Sequence, residues 1–395
     1  MLKKTYFCVE IQIKMIEEEI NENLDDNQEI NEGEEEELFE HFRFVCEKGQ
    51  TPIRLDKFLT MLVMRATRTR IQNAIAAGSV LVNGKPNKAS YAVRPLDVLQ
   101  VVLPKPVEEH SLAAQDIPLD VVYEDKDVLV INKPPKMVVH PGVGNPDGTL
   151  VNALVYYFRH KSPTPPFEEE MITSPGLVHR IDKHTSGLLL IAKTTFAQQF
   201  LAQQFAAHTV HRRYVALVWG NFTEDEGTIT KNVGRDPRDR MRMTTFANPE
   251  EGKWAVTHYK VLERFYYTTL VECRLETGRT HQIRVHMKSI GHTLFNDHKY
   301  GGNEILAGTV YSKYKAFVHN TFKALTRQSL HAKEIGFIHP TTKEEMRFDS
   351  YLPEDMKAGI QKWRSYYHNR KQLVGMHDEL TWVDDDNLMA GVKLK

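Results

Sequence analysis

The apolar positions of this chain change period several times, and each change marks an element. Leu55, Phe58, Leu59 and Leu62 recur at helical spacing, which predicts a short amphipathic helix. A second short helix is expected from about Thr69. It stops at Gly78, a residue suited to the left-handed position after a helix end. Val80, Leu81 and Val82 then read as a strand. Asn83-Gly84 behind them is a two-residue hairpin signal, because both positions of that turn take positive φ. The apolar run from Val98 to Leu103 closes this small unit.

Pro104 to Leu119 mixes prolines with polar residues and reads as a linker. Beyond it, strand-like runs lie at Val128 to Asn132, Leu188 to Ala192, Tyr214 to Trp219 and Leu270 to Leu275. A helix is predicted over 195–207, with Phe196, Phe200, Leu201 and Phe205 as its buried stripe. Another is predicted from Arg279 to Lys288. Strands and helices intersperse without a regular βαβ alternation, so the expected class is α+β rather than doubly wound. Residues 15–40 are rich in Glu, Asp and Asn with few large apolar residues, and disorder is expected there. Trp363, Tyr366 and Tyr367 imply some packing before a polar tail. These breaks divide the chain into an extension (1–45), a small module (51–104), a linker (105–119), a main domain (120–360) and a C-terminal extension (361–395).

Composition sharpens the picture in three ways. A chain of 395 residues exceeds what one hydrophobic core usually serves. No stretch approaches the ~20 apolar residues of a membrane span. The N-terminal MLKKTYFCVEIQIK has no continuous apolar core, so no secretory signal is expected, and Met15 is a second candidate start. Cys8, Cys46 and Cys273 are odd in number and far apart, which argues against a disulfide framework and for a reducing cytoplasm. The net charge of −1 hides an asymmetry. Residues 17–40 hold thirteen acids and no base; the remainder carries 39 acids against 51 bases, an excess of 12 positive charges. An acidic tail on a basic body points to a nucleic-acid partner that the tail is expected to compete with.

The small module concentrates that charge. Arg54, Lys57, Arg65, Arg68, Arg70, Lys85, Lys88 and Arg94 are opposed only by Asp56 and Asp97. Two short helices would present arginines to RNA phosphates. The ordered run RLDKFL, then R-x-R-I-x-x-x-I-x-x-G-x-V-x-V-N-G-K, resembles the S4 RNA-binding domain. Such domains serve many owners and do not by themselves make an enzyme.

Three segments of the main domain carry candidate chemistry. NKPPKMVVHP (132–141) ends a strand in a proline turn with Lys133 and His140 near it. HRIDKHTSGLL (179–189) places Asp182 directly before a buried strand, flanked by Arg180 and Lys183, with Thr185, Ser186 and Gly187 as the turn. Neighbouring cations favour the ionised carboxylate that a nucleophile requires. On local composition alone, an Asp that caps a turn or pairs with a surface base explains the segment better. TGRTHQIRVH (277–286) puts His281 and Arg284 three apart on an expected helix, whose start can receive a phosphate. His281 and His286, five apart with no completing carboxylate, make a poor metal pair, and none is expected.

In this order and spacing the three segments resemble the RluA/RluD family of pseudouridine synthases, over about residues 51–355. Ile181 and Pro135-Lys136 depart from the family's usual residues, and the second departure implies that its loop sits differently. The resemblance implies a mixed, largely antiparallel central sheet with flanking helices and an active-site cleft. It makes Asp182 the catalytic aspartate. Tyr214, in HRRYVALVWG (211–220), becomes the tyrosine that stacks on the target base and helps remove the proton from carbon five. Arg284 becomes the partner of Asp182, with Arg279 the competing candidate. Arg180 is expected to fill the gap left by the extruded uridine, with His179 and Arg279 among the RNA contacts. Arg54, Lys57, Arg68, Arg70 and Lys85 are the expected contacts of the S4-like module. The reaction needs no cofactor, ATP or metal. The implied partner is structured RNA, foremost ribosomal RNA of the large subunit or pre-ribosomal particles, bound by a cytoplasmic monomer with no membrane. The same reaction on transfer RNA, a non-catalytic ribosome-assembly factor and a nucleoside hydrolase are the alternatives.

Overall fold

A computed structural model describes residues 39–46, 52–62, 68–103, 112–142, 144–166, 171–172, 175–239 and 241–374. The acidic run before Phe39, and with it nearly all the expected disorder, lies outside the described residues. So does the tail after Val374. The chain divides into two compact units, Met1–Leu112 and Ala113–Lys395.

The first unit contains β1 (Phe39–Val45), β2 (Ile53–Arg54), α1 (Leu55–Leu62), α2 (Arg68–Ala76), β3 (Val80–Val82), β4 (Lys85–Pro86), β5 (Ala92–Val93) and β6 (Val98–Leu103). Four strands form a sheet in the order β1-β6-β3-β4, and β2 pairs with β5. Leu55, Phe58 and Leu59 of α1 pack with Ile71 and Ile75 of α2 against Val80, Val82 and Leu99. Gly78 takes φ of 78°, and Asn83 and Gly84 take 52° and 78°, the positive values a two-residue hairpin turn requires. The extension drawn through residue 45 ends earlier than expected. β1 pairs antiparallel with β6 from Phe39 opposite Leu103 to Val45 opposite Val98. Phe42 is buried and stacks on Phe44. This period-two apolar pair sits at the end of the acid run, where a boundary drawn on composition hides it.

The second unit is built on β7 (Val121–Glu124), β8 (Val128–Lys133), β9 (Gly176–Leu177), β10 (Ser186–Ala192), β11 (His211–Trp219), β12 (Glu226–Thr230), β13 (Asn232–Arg235), β14 (Met243–Phe246), β15 (Val256–Arg264), β16 (Thr268–Leu275), β17 (Leu330–Ile338) and β18 (Glu345–Asp349). Its helices are α3 (Leu150–His160), α4 (Thr195–Ala206), α5 (Gln282–Ser289), α6 (Ser312–Ala324) and α7 (Glu354–Val374). The main sheet runs β12-β15-β16-β11-β17-β10-β8-β7, with β18 added on β17 and β9 on β10; β13 and β14 pair separately. Among the described residues only β10 and β17 run parallel; the fold is α+β.

Helices cover both faces of this sheet, so its central strands are apolar on both sides. Along β11, Tyr214, Ala216 and Val218 face a core shared with Leu150, Leu154 and Phe158 of α3 and Ile283 and Met287 of α5. Val215, Leu217 and Trp219 face the other way, onto Tyr314 and Val318 of α6 and Met356, Ile360 and Trp363 of α7. The C-terminal boundary at residue 360 therefore cuts through a continuous helix, and Trp363 is fully buried beyond it. Residues 113–119, drawn as linker, are also tied to this unit. Asn152 Nδ2 donates to Ala113 O at 2.9 Å, and the Gln115 N–H donates to Asn152 O at 3.1 Å.

The stripe expected on α4 is rotated. Thr194 caps the helix by accepting the Ala197 N–H at 3.0 Å, and the buried row is Ala197, Leu201 and Gln204. Phe196 is 55% exposed. Gln204 is buried because it exchanges two hydrogen bonds with the backbone of Ile338, at 2.8 and 2.9 Å. A satisfied polar side chain can take a core position that an apolar pattern assigns elsewhere. Gly187 opens β10 with φ of 114°, and a Cβ there would lie 2.2 Å from Ala332 O. The parallel approach of β10 to β17 thus requires glycine at that position.

Candidate active site

Asp182 stands on the loop between β9 and β10. The turn lies earlier than the expected Thr185–Gly187, at Asp182–Thr185: the Thr185 N–H donates to Asp182 O at 3.0 Å, and Ser186 and Gly187 already belong to the strand. Two buried basic side chains hold the next two carbonyls. Lys133 Nζ donates to Lys183 O at 3.3 Å, as well as to Pro134 O (2.8 Å) and Met137 O (3.0 Å). Arg327 Nη1 donates to His184 O at 2.8 Å, and its Nε reaches Asp355 of α7 at 2.7 Å. Lys136, in the loop expected to sit differently, takes φ of 71°, the left-handed region that glycine adopts without strain.

The Asp182 side chain is 22% exposed, and its Oδ2 accepts from Arg284 Nη1 at 2.9 Å. Arg284 is itself locked by Asp297, whose Oδ2 and Oδ1 accept from Nε at 2.7 Å and Nη2 at 2.8 Å. Burial opposes the charge on this guanidinium, but the Asp297 hydrogen bonds and the two carboxylates hold its pKa above the ordinary arginine value. Arg284 also lies 4.8 Å from the centroid of the Tyr300 ring. The helix expected from Arg279 begins only at Gln282, because His281 takes the left-handed φ of 56°. That turn aims the His281 ring into the site, with Nε2 3.8 Å from Asp182 Oδ2 and Nδ1 2.6 Å from Tyr300 Oη. His286, its former metal candidate partner, is buried elsewhere against Thr257 and Lys231 O.

Asp182, Arg284, His281 and Tyr214 line one cavity of about 440 Å³. Tyr214 reaches it from β11 and is 8% exposed. Burial pushes its phenol pKa up, so the hydroxyl keeps its proton at neutral pH. A carboxylate and a planar ring at one pocket, with a guanidinium fixing the carboxylate, can orient an extruded nucleobase and act on its glycosidic bond.

Residues 127–289 match the family model for RNA pseudouridylate synthases, and residues 53–99 match the S4 domain. An uncharacterised RNA pseudouridine synthase of Chlorobaculum parvum is 43% identical over 319 residues, covering 80% of this chain and 96% of the relative. The uncharacterised RNA pseudouridine synthase YlyB of Bacillus subtilis is 45% identical, covering 79% and 94%. The ribosomal large subunit pseudouridine synthase D of Zymomonas mobilis is 42% identical, covering 77% and 92%. The chain belongs to the RluA/RluD family of RNA pseudouridine synthases. It is an isomerase that converts uridine in RNA to pseudouridine.

The synthase places its other sequence candidates unevenly. Arg180 is exposed and lines the cavity. His179, expected among the RNA contacts, is half-buried and also lines the cavity. Its Nε2 accepts the Leu190 N–H at 2.9 Å, its ring stacks 4.7 Å from Phe205, and burial pushes its pKa down to about 3. It pins the loop to β10. Arg279 lines the cavity but donates to Trp254 O at 3.2 Å, while Arg284 takes the Asp182 bond. In the S4 domain Arg54 and Arg68 both bond to the fully buried Asp56, at 3.0 and 2.8 Å, and keep 45% and 47% of their side chains exposed. The arginine hydrogen bonds hold Asp56 well below the usual carboxylate range. Lys57 and Lys85 are exposed, and Arg70 lies on α2.

The sequence reading missed Asp297, Tyr300 and Arg327, and weighed His281 only as a poor metal candidate. Their signal was thin: Asp297 and Tyr300 sit in the polar run FNDHKYGG (295–302) after a buried strand contact. Burial pushes the His281 imidazole down to about 4, with Asp182 opposing the shift. The folded value lies below the free one of ~6.5, so the unfolded chain gains this proton first as pH falls. The residue's share of stability is complete above pH ~6.5 and is lost as the pH drops toward 4. In activity, kcat/KM should carry no His281 step between pH 5 and 8. An inflection near 6.5 that disappears in His281→Gln would show that the ring titrates in the working range.

Proposed function

We propose that Asp182 is the carboxylate that drives the isomerisation, and that the substrate is ribosomal RNA of the large subunit. The Arg284 bond to Asp182, made at the cavity that also holds Tyr214, is the observation that supports the first part. A buried, doubly anchored guanidinium keeps the carboxylate aimed. Oδ2 is engaged by Arg284, and among the described residues Oδ1 accepts no bond, which leaves it to the reacting atoms.

The uridine must leave its stack to reach this cavity, which costs a few kcal/mol. Arg180, at the exposed rim, fills the space it vacates. Within the cavity the bond between N1 of the base and C1′ of the ribose breaks and the uracil turns. C5 then bonds to C1′, the C5 proton departs, and N1 takes up a proton. No atom enters or leaves overall, and the steps are served by one carboxylate and a stacking ring. Tyr214 supplies that ring. Its raised pKa means that it can receive the C5 proton only by giving up its own.

The large-subunit target rests on the relative from Zymomonas mobilis, whose name states it, and on the basic S4 domain that would hold structured RNA. The enzyme then works as a monomer in the cytoplasm, where that RNA is. Pseudouridine mapping of total RNA from cells with and without the gene tests this reading. Positions lost from large-subunit RNA on deletion are the expected result. A loss confined to transfer RNA, or no loss, would overturn the target.

A further inference from the structure

Four arginines are buried among the described residues: Arg212, Arg284, Arg327 and Arg364. Three of them face carboxylates: Arg284 bonds Asp182 and Asp297, Arg327 bonds Asp355, and Arg364 bonds Glu263. Arg212 does not. It is 7% exposed, and its Nη2 donates to the carbonyl of Glu276 at 3.0 Å. Its guanidinium lies 5.5 Å from the centroid of the Phe205 ring. Its Nε is buried with no acceptor. Burial pushes its pKa below the usual arginine value, and Tyr214 is the one group opposing that shift. An uncompensated buried cation costs stability, and a fold keeps one only where something else gains from it.

The position says what gains. Arg212 precedes Tyr214 by two residues on β11, so the two side chains share a face of the sheet, and both line the cavity. Gly278 is the second observation. Its φ is not left-handed, yet a Cβ there would lie 2.6 Å from Arg212 Nη1. Glycine at 278 leaves room for this guanidinium at the cavity wall.

We propose that Arg212 is the binding site for a backbone phosphate of the RNA strand, next to the flipped uridine. This rests on the reading that the cavity takes that uridine. Two residues along a strand span ~6.6 Å, comparable to the reach from a base lying on Tyr214 to the phosphate of its own nucleotide. The phosphodiester is the anion that RNA brings to such a pocket. It would complete the bonding of the guanidinium with charge-assisted hydrogen bonds.

The test uses the full-length enzyme and total RNA from cells lacking the gene, which contains the unmodified target whatever its class. Pseudouridine formation is followed at several potassium chloride concentrations. Arg212→Met should lower kcat/KM by on the order of 10- to 100-fold, mainly through KM. Its salt dependence should be shallower than that of wild type by ~0.7–0.9 in log–log slope, one phosphate contact fewer. Arg212→Lys should restore the slope. Gly278→Ala, which crowds the guanidinium without removing its charge, should raise KM. The melting temperature of Arg212→Met should equal or exceed that of wild type. A lowered melting temperature, or an unchanged KM and slope, would overturn the proposal. A wild-type enzyme that makes no pseudouridine in this RNA would instead strike the reading of the reaction itself.

Discussion

Asp182→Asn should reduce turnover by at least ~10⁴-fold while RNA affinity stays within about threefold of wild type. Asn has the shape of Asp, and its side-chain oxygen can still accept from Arg284. Arg284 keeps both hydrogen bonds to Asp297, so the guanidinium should not move. What disappears is the negative charge and with it the nucleophilic or basic oxygen. The cavity wall and the cationic rim remain, and they hold the RNA. Single-turnover assays on unmodified RNA, paired with filter binding, separate the two effects. Product formation at the wild-type rate would remove Asp182 from the chemistry. A parallel loss of affinity would make it a binding residue instead.

Asp297→Ala is expected to be the most damaging change outside the reacting atoms. Asp297 is fully buried, accepts Nε and Nη2 of Arg284, and also accepts the N–H groups of Lys299 (3.1 Å) and Tyr300 (3.3 Å). Alanine leaves a guanidinium that is 5% exposed with Asp182 as its single partner. Breaking a buried pair in this way costs about 3–5 kcal/mol, because the guanidinium stays desolvated while its two-pronged carboxylate is gone and the Asp182 bond alone remains. Urea unfolding should show that loss at constant m-value. Activity per folded molecule should also fall by about 10²-fold, since the guanidinium that aims Asp182 is no longer held on its other side. Asp297→Asn, which keeps one acceptor, should fall between the two proteins in both measurements. A wild-type unfolding midpoint in Asp297→Ala would mean that Arg284 is anchored by something other than this carboxylate.

Much of the fold was written locally, and those parts were readable. The hairpin at Asn83-Gly84 follows from two residues that tolerate positive φ. The apolar run of β10 follows from burial on both faces of a sheet. The order of HRIDKHTSGLL and TGRTHQIRVH was enough to name the reaction, because long motifs record chemistry even when their geometry is unseen. Local reading failed where a polar side chain took an inside position. Gln204 displaced Phe196 from the buried face of α4 by bonding the backbone of β17. His179 lines the cavity, but only the fold shows that its ring also accepts an N–H from β10.

The sequence by itself determined the family, the kind of reaction, the α+β class and the positions of six strands, most of them central to their sheets. These depend on residue identity and on spacings of a few residues. Tertiary structure alone decided that Asp297 anchors Arg284, that Lys133 and Arg327 grip the loop of Asp182, and that Arg212 is buried without a counter-charge. Asp182 and Arg284 are 102 residues apart, and Arg327 lies 143 from the carbonyl it holds. Partnership at that range is set by which strands are neighbours in the sheet and by how much water they exclude. Those quantities exist only once the chain has closed around its core.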